Sequence, residues 1–155
     1  MKSFKLWLIA CSLFMIFGVC TSNGATLEER CHGKTPKERF LIYKAAAEQG
    51  DAGGQFSLGG CYKNGSGVAQ DHVEAVKWFR KSAEQGDAGG QLALGWCYET
   101  GKGVAKNFVE AYALYNLHRS NFKDLGYLEE LMSPAQIAAG KKRTIELQKS
   151  YKSPK

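Results

Sequence analysis

The chain has 155 residues, of which 44% are apolar and 23% charged, a composition that fits one folded domain and excludes a low-complexity chain. Its formal net charge of +6 is concentrated at the ends: residues 26–140 carry 13 basic and 14 acidic side chains, whereas 141–155 carry six basic residues and only Glu146. A nucleic-acid-binding surface needs basic residues spread over a folded face, so the charge pattern argues against nucleic acid as a partner.

The first 25 residues are typical of a secretory signal peptide. Two lysines precede an apolar run at 6–20, and small and polar residues follow. The run is shorter than the roughly 18 residues that a membrane-spanning helix needs. We therefore expect export to the periplasm or the medium, cleavage after Gly24 or after Ala25, and no membrane span once the signal is removed. Acylation as a lipoprotein, at Cys11 or Cys20, is the alternative.

The segment after the signal peptide is predicted to be irregular at 26–34 and helical beyond it. Thr35-Pro36-Lys37-Glu38 forms a capping box with proline at the first helical position. The helix is expected to run to Gln49. Because Tyr43 lies 36 residues before Phe79, this helix corresponds to the second helix of a preceding, truncated repeat.

The central region contains one unit of 36 residues twice. When 45–80 is laid over 81–116, 20 of 36 positions are identical, including the segments AEQGDAGGQ, LG-x-CY, GVA and VEA. A fixed period of this size is typical of stacked helical repeats, in which each copy buries its apolar face against the next.

Each copy predicts two helices. In the first copy, one helix is expected at 52–64, between Asp51 as N-cap and Gly65 just past its end, and the other at about 71–85. The second copy predicts the same pair at 88–100 and from 107 to about 118. Spacings of three and four residues indicate a buried stripe on each helix of the first copy: Gln55, Leu58, Gly59 and Tyr62 on one, and Ala75, Trp78, Phe79, Ser82 and Ala83 on the other.

The C-terminal flank predicts closing helices. Residues 123–132 are expected to form a short helix, and a second capping box, Ser133-Pro134-Ala135-Gln136, opens a helix through about Ser150. Residues 151–155 are a basic tail, interpreted as a frayed, solvated end; attraction to an anionic surface or an acidic partner is the alternative. Atypical terminal units are expected where a repeat stack must cover its open faces.

Three cysteines follow the signal segment: Cys31, Cys61 and Cys97. Cys61 and Cys97 occupy the same position in successive repeats. Stacked helices keep their axes about 8–10 Å apart, whereas a disulfide needs Cα atoms within about 7 Å. We therefore predict that Cys61 and Cys97 are buried, unbridged packing residues, and that Cys31 is exposed or bonded elsewhere.

These segments resemble the Sel-one-like repeat family, which is related to the tetratricopeptide repeats. The family pattern A-E-Q-G-D-A, Q-x-x-L-G-x-x-Y, G-x-G-V and A-x-x-W-[YF] occurs in the first copy between Ala47 and Phe79. The second copy departs from it at Leu114-Tyr115-Asn116, as the closing unit of the family does. The resemblance covers roughly 36–150.

The resemblance implies an all-α fold: an α-α superhelix, that is, a right-handed solenoid of antiparallel helix pairs. Two full repeats, at about 47–82 and 83–118, would form the domain at 35–150 together with flanking capping helices, the last of them at 123–150. The cysteine-rich relatives that handle β-lactams or cell-wall fragments carry paired cysteines in each repeat, whereas this chain has one per repeat.

A concave surface is expected from first-helix residues outside the buried stripe, by similarity to tetratricopeptide grooves. These positions vary between the copies far more than the stripe does. One interpretation is a peptide groove with an apolar floor and a polar rim of Lys63 and Glu99; the other is that the large residues pack against each other. The glycines of Gly53-Gly54 and Gly89-Gly90 indicate either close approach of backbones or an opened groove floor. The candidate partner-binding residues are Phe56, Gly60, Lys63, Asn64, Leu92, Trp96, Glu99 and Thr100, with Gly53 and Gly89 beside them.

No catalytic, metal or cofactor motif is recognisable. The three histidines fall in different elements, and the turns 65–67 and 101–103 resemble phosphate loops only in composition. We therefore predict an exported, non-enzymatic adaptor that binds a protein or peptide and uses no cofactor or metal. The alternative is a periplasmic protein that binds cell-wall fragments or a small molecule, with or without weak hydrolysis. A capping subunit of a longer assembly is a third possibility.

Overall fold

A computed structural model describes residues 26–117 and 125–152; the signal segment 1–25, residues 118–124 and 153–155 lie outside the described residues. The described residues form helices and no strand. In chain order the helices are α1 (Leu27–Cys31), α2 (Pro36–Glu48), α3 (Ala52–Asn64), α4 (His72–Glu84), α5 (Ala88–Thr100), α6 (Phe108–Asn116), α7 (Leu125–Leu131) and α8 (Pro134–Lys152).

The first helix of each repeat has the bounds that the sequence predicts. The Asp51 side chain accepts a hydrogen bond from the Gly54 N–H at the start of α3, and Asp87 does the same for Gly90 at the start of α5. Gly65 then ends α3 in the left-handed region, at φ 69°. Cap and terminator are identical in both copies, so the two helices have the same length.

The second helices carry the predicted core. Asp71 caps α4 through the N–H groups of Val73 and Glu74, and Asn107 caps α6 in the same way. Helix α4 buries Ala75, Phe79, Ser82 and Ala83, while Trp78 is half-buried. The described part of α6 ends at Asn116, and the expected end at about 118 lies outside the described residues.

Identical residues make identical contacts between the first helix of each repeat and the helix that precedes it. The Nε2 of Gln55 donates to the Ala47 carbonyl, and the Nε2 of Gln91 donates to the Ala83 carbonyl, each over 3.3 Å. A Cβ on Gly54 would lie 2.7 Å from the Cβ of Ala46. The second glycine of each pair therefore allows close approach of the preceding helix; Gly90 meets Ser82 in the same manner, at 2.4 Å from its Oγ.

The ends of the chain differ in part from the prediction. Residues 26–34 are not wholly irregular, because Thr26 and Glu29 form a capping box that opens α1. Cys31 is not exposed: it is a free thiol, buried at 7% relative exposure, at the end of this helix. At the other end α7 ends at Leu131, one residue before the expected end, and its expected start at 123 lies outside the described residues. Helix α8 continues through Tyr151 into the segment predicted as a tail.

The last helix closes the stack against the second repeat. Ser133 and Gln136 form the predicted capping box, with the Ser133 N–H donating to Gln136 Oε1 over 2.8 Å. Helix α8 crosses α6 so closely that a Cβ on Gly140 would lie 2.6 Å from the Tyr112 ring. Within 26–117 and 125–152, none of the helices has the length and apolar character to cross a membrane.

Candidate peptide-binding surface

Helices α3 and α5 form the concave side of the stack. These two first helices contact each other, whereas α4 and α6, the second helices, are at most in weak contact. Neighbouring units are therefore closer together on the side of α3 and α5. We call the exposed residues of these two helices on this side the groove face.

Phe56 bridges the two repeats on the groove face. It is 39% exposed, and its ring lies 6.1 Å from the ring of Phe79, centroid to centroid. A Cβ on Gly89 would lie 3.2 Å from two atoms of the same ring. The first glycine of the second pair therefore makes room for an aromatic side chain, whereas Gly53 meets only Asp51 and Leu27, at 3.5 Å or more.

Trp96 is half-buried against the core cluster that contains Phe79, and its ring is also the centre of a cluster with two lysines. The Nζ of Lys63 lies 4.8 Å from its ring centroid, and the Nζ of Lys102 lies 5.2 Å from it, both within the range of a cation–π interaction. The Thr100 hydroxyl donates to the Trp96 carbonyl over 2.8 Å. We call Lys63, Trp96 and Lys102 the two-lysine cluster.

Gly60 leaves a notch beside this cluster. Apart from its chain neighbours and the backbone of its own helix, no atom of the described residues lies within 4 Å of the place where its Cβ would be. Phe56 and Lys63 lie on the same face of α3, four residues before it and three after it, so they flank the notch. Asn64 is exposed at the end of the helix.

Two of the residues predicted to bind a partner make contacts within their own repeat. The Glu99 carboxylate accepts a hydrogen bond from the Tyr115 hydroxyl over 2.8 Å, and Leu92 is half-buried against the core cluster that contains Tyr112 and Tyr115. For these two positions the packing interpretation fits better than the groove interpretation. Phe56, Gly60, Lys63 and Trp96 are brought together; Glu99 does not form a rim with Lys63.

Lys102 belongs to this surface but is not among the residues predicted from sequence. It lies in the turn after α5, within a segment that looks like a purely structural glycine turn. The signal was present, because Lys102 replaces Ser66 between two glycines that are identical in both copies. Differences inside an otherwise repeated turn are therefore informative in the same way as differences along the helix.

The buried cysteines have the character of packing residues. Cys61 and Cys97 are free and buried, as predicted, and burial raises the pKa of both thiols, that of Cys97 to about 11. A nucleophilic cysteine instead needs a lowered pKa and access to solvent. Among residues 26–117 and 125–152, no three His, Cys, Asp or Glu side chains are grouped so that they could hold a metal ion.

We expect Cys97 of the native protein to resist alkylation. At pH 8 its thiolate fraction is about 100-fold below that of an unburied cysteine, and this fraction rises about tenfold per pH unit until it reaches one half near pH 11. Iodoacetamide labelling followed by peptide mass spectrometry measures this residue separately. The same protein in urea is the control, and equal labelling rates in both conditions would contradict the buried placement.

The described residues define an α-solenoid, the class of proteins built from stacked helix pairs. The family described as Sel1 repeat matches residues 52–87 and 88–117. Residues 52–117 of the chain therefore consist of two Sel1 repeats. Sel1 repeats are commonly scaffolds for protein interactions and are generally non-enzymatic.

Three solved structures share the fold. One is c5321, a protective antigen of uropathogenic Escherichia coli strains with an SLR fold, at 25% identity and a TM-score of 0.71, covering 90% of this chain and 28% of that one. Another is a Sel1 repeat protein from Oxalobacter formigenes, at 30% identity and a TM-score of 0.57, covering 75% and 51%. The third is the cysteine rich protein B of Helicobacter pylori, at 25% identity and a TM-score of 0.58, covering 82% and 92%.

The chain thus spans about a quarter of the Escherichia coli antigen and about half of the Oxalobacter protein. A search of curated proteins found no match.

Proposed function

We propose that this protein is an exported, non-enzymatic adaptor that binds a peptide or an extended protein segment on the groove face. The observation that carries the proposal is the juxtaposition of Phe56, the open notch at Gly60 and Trp96 across two repeats. Most residues shared by the two copies serve stacking, whereas these positions differ between copies and face solvent at least in part. Aromatic anchors beside an open notch are typical of protein-interaction hot spots.

Photo-crosslinking tests this surface directly. A photoreactive amino acid placed at Asn64, which is exposed on the groove face, should capture a partner in living cells. The same group at Val73, which is 54% exposed on α4, is the matched control and should capture little. Equal capture at both positions, or none at Asn64, would remove the groove face from the proposal.

Loss of the two aromatic anchors should abolish binding. The double variant Phe56→Ala/Trp96→Ala is expected to weaken capture by about 1000-fold, since two aromatic anchors of about 2 kcal/mol each contribute about 4 kcal/mol together. Circular dichroism should show unchanged helicity. Tyr127→Ala, at a residue that is 57% exposed on α7, is the control and should bind as the unmodified protein does.

Export is supported by the charge and apolar pattern of residues 1–25. We expect the mature protein recovered from the periplasm or the medium to begin at Ala25 or Thr26. Intact-mass analysis of both fractions measures this. An uncleaved chain found only in the cytoplasm would overturn this part of the proposal while leaving peptide binding open.

A second candidate function is binding of a small molecule or a cell-wall fragment. The observation in its favour is a cavity of about 190 Å³ between α4, α5, α6 and α8, with Leu94, Leu114 and Leu147 on its wall. Arg143, which also lines it, is held by Glu110 over 2.9 Å. Binding of purified peptidoglycan fragments or of a fluorescent penicillin in the absence of a protein partner would favour this candidate, and Phe56→Ala/Trp96→Ala should then have no effect.

A further inference from the structure

We propose that the two-lysine cluster makes the groove face selective for acidic peptides, in which a carboxylate lies close to a large apolar side chain. This inference rests on the proposed function and specifies the chemistry of its partner. The apolar side chain would occupy the notch at Gly60, against Phe56. The carboxylate, from Asp, Glu or a chain terminus, would lie between the ammonium groups of Lys63 and Lys102.

Tertiary structure brings the two ammonium groups to the same indole ring. Lys63 belongs to the last turn of α3 in the first repeat, and Lys102 to the turn after α5 in the second. Their Nζ atoms lie 4.8 Å and 5.2 Å from the centroid of the same Trp96 ring. Two ammonium groups near one ring repel each other, and an anionic ligand offsets this repulsion because it attracts both of them.

No carboxylate of the described residues forms an ion pair with this cluster. Within 26–117 and 125–152 no ion pair includes Lys63 or Lys102. Glu99, the nearest expected partner on α5, accepts from Tyr115 instead. The positive charge of the cluster therefore faces the groove, and charge complementarity selects an acidic partner over a neutral or basic one.

The spacing on α3 limits how far apart the two recognised groups can be. Phe56 and Lys63 are seven positions apart, which is about 10 Å along a helix at about 1.5 Å per residue. An extended peptide covers that distance in roughly three residues. The acidic residue should therefore occur within about three positions of the apolar one.

Other lysine–aromatic pairs of the molecule provide matched controls. The Nζ of Lys81 lies 4.2 Å from the ring centroid of Trp78, but both residues belong to α4, one turn apart. Lys106 and Phe108 are likewise close in sequence, with the Nζ 4.6 Å from the ring centroid. Each of these rings carries a single lysine, outside the groove face, so removing Lys81 tests a cation–π pair without touching the cluster.

Selection from a random displayed-peptide library tests the inference on the purified protein. We expect enriched peptides to carry Asp or Glu within about three positions of a large apolar residue. An enriched peptide should bind Lys63→Gln/Lys102→Gln about fivefold to thirtyfold more weakly, and should bind Lys81→Gln unchanged. Lys63→Glu/Lys102→Glu should select basic peptides instead, and added salt should weaken binding to the unmodified protein.

The outcomes separate this inference from the proposed function. Enrichment of neutral or basic peptides whose binding is unchanged in Lys63→Gln/Lys102→Gln overturns the acidic selectivity and leaves the groove in place. Absence of enrichment, or peptides that bind Phe56→Ala/Trp96→Ala as well as the unmodified protein, overturns the proposed function and the inference with it.

Discussion

Replacing Gly103 with alanine is expected to lower the free energy of unfolding by about 2 to 5 kcal/mol. Gly103 has φ +74°, where an L side chain costs about 1–2 kcal/mol. Its Cβ would also lie 2.1 Å from the carbonyl oxygen of His72 and 2.4 Å from the carbonyl carbon. Because both are backbone atoms at the start of α4, relief requires the turn to move away from the preceding repeat. Urea denaturation followed by circular dichroism measures the loss.

Gly86→Ala is the matched control for that experiment. Gly86 has φ +85°, and no atom lies within 4 Å of its Cβ position. Alanine there should lower the free energy of unfolding only by the cost of the left-handed backbone conformation, about 1–2 kcal/mol. If the two variants are equally destabilised, the contact of the 101–103 turn with α4 does not hold the two repeats together.

The same contact explains why the repeat period could be found from sequence. A Cβ on Gly67 would lie 2.3 Å from the Pro36 carbonyl oxygen, as a Cβ on Gly103 would lie close to that of His72, 36 residues later in both partners. Each unit must fit against its predecessor, so the residues at these contacts are repeated. Helix α3 and helix α5 were therefore predictable to the residue, and α2 was recognisable as the second helix of a preceding unit.

The residues that differ between copies could be selected from sequence but not interpreted. Position 99 carries Glu where the first copy has Lys63, and this change follows from Tyr115, whose hydroxyl the Glu99 carboxylate accepts. Position 79 is Phe in the first copy, which has no hydroxyl to satisfy. A difference can therefore arise from packing within the unit as well as from a partner. The structure separates these two causes, because it shows whether the differing residue contacts its own repeat or the neighbouring one.

The ends were predicted least well, because they lack a second copy to compare. Thr26 and Glu29 have capping-box spacing, yet the five-residue α1 has too few residues to show a helical periodicity. The position of α1 determines that Cys31 is buried, in contact with Tyr43 of α2. A hydrogen bond with this thiol, together with burial, raises the pKa of Tyr43 to about 12. The sequence-based expectation of an exposed or bonded Cys31 followed from the absence of any partner in the repeat pattern.

Phe79→Ala should destabilise the protein by about 3–5 kcal/mol, a large part of the roughly 5–15 kcal/mol that holds a typical domain together. Phe79 is 1% exposed, and a Cβ on Gly59 would lie 2.6 Å from its ring. The ring thus fills the space that Gly59 leaves, and the surrounding helix backbone cannot collapse into the resulting cavity. Urea denaturation measures the loss, and Trp78→Ala, at the half-buried neighbour on α4, should cost clearly less.

The consequence of Phe79→Ala should extend to the groove face. The ring of Phe56 packs on that of Phe79, with 6.1 Å between ring centroids. The cavity left by Phe79→Ala therefore allows the Phe56 side chain to move into the core. Peptide affinity should therefore fall even at temperatures where the variant remains folded by circular dichroism. Unchanged affinity in the folded variant would show that Phe56 holds its position through Gly89 alone, and unchanged stability would show that the ring does not fill the core as described. A residue that stabilises the stack is thus also the residue against which an anchor of the groove packs.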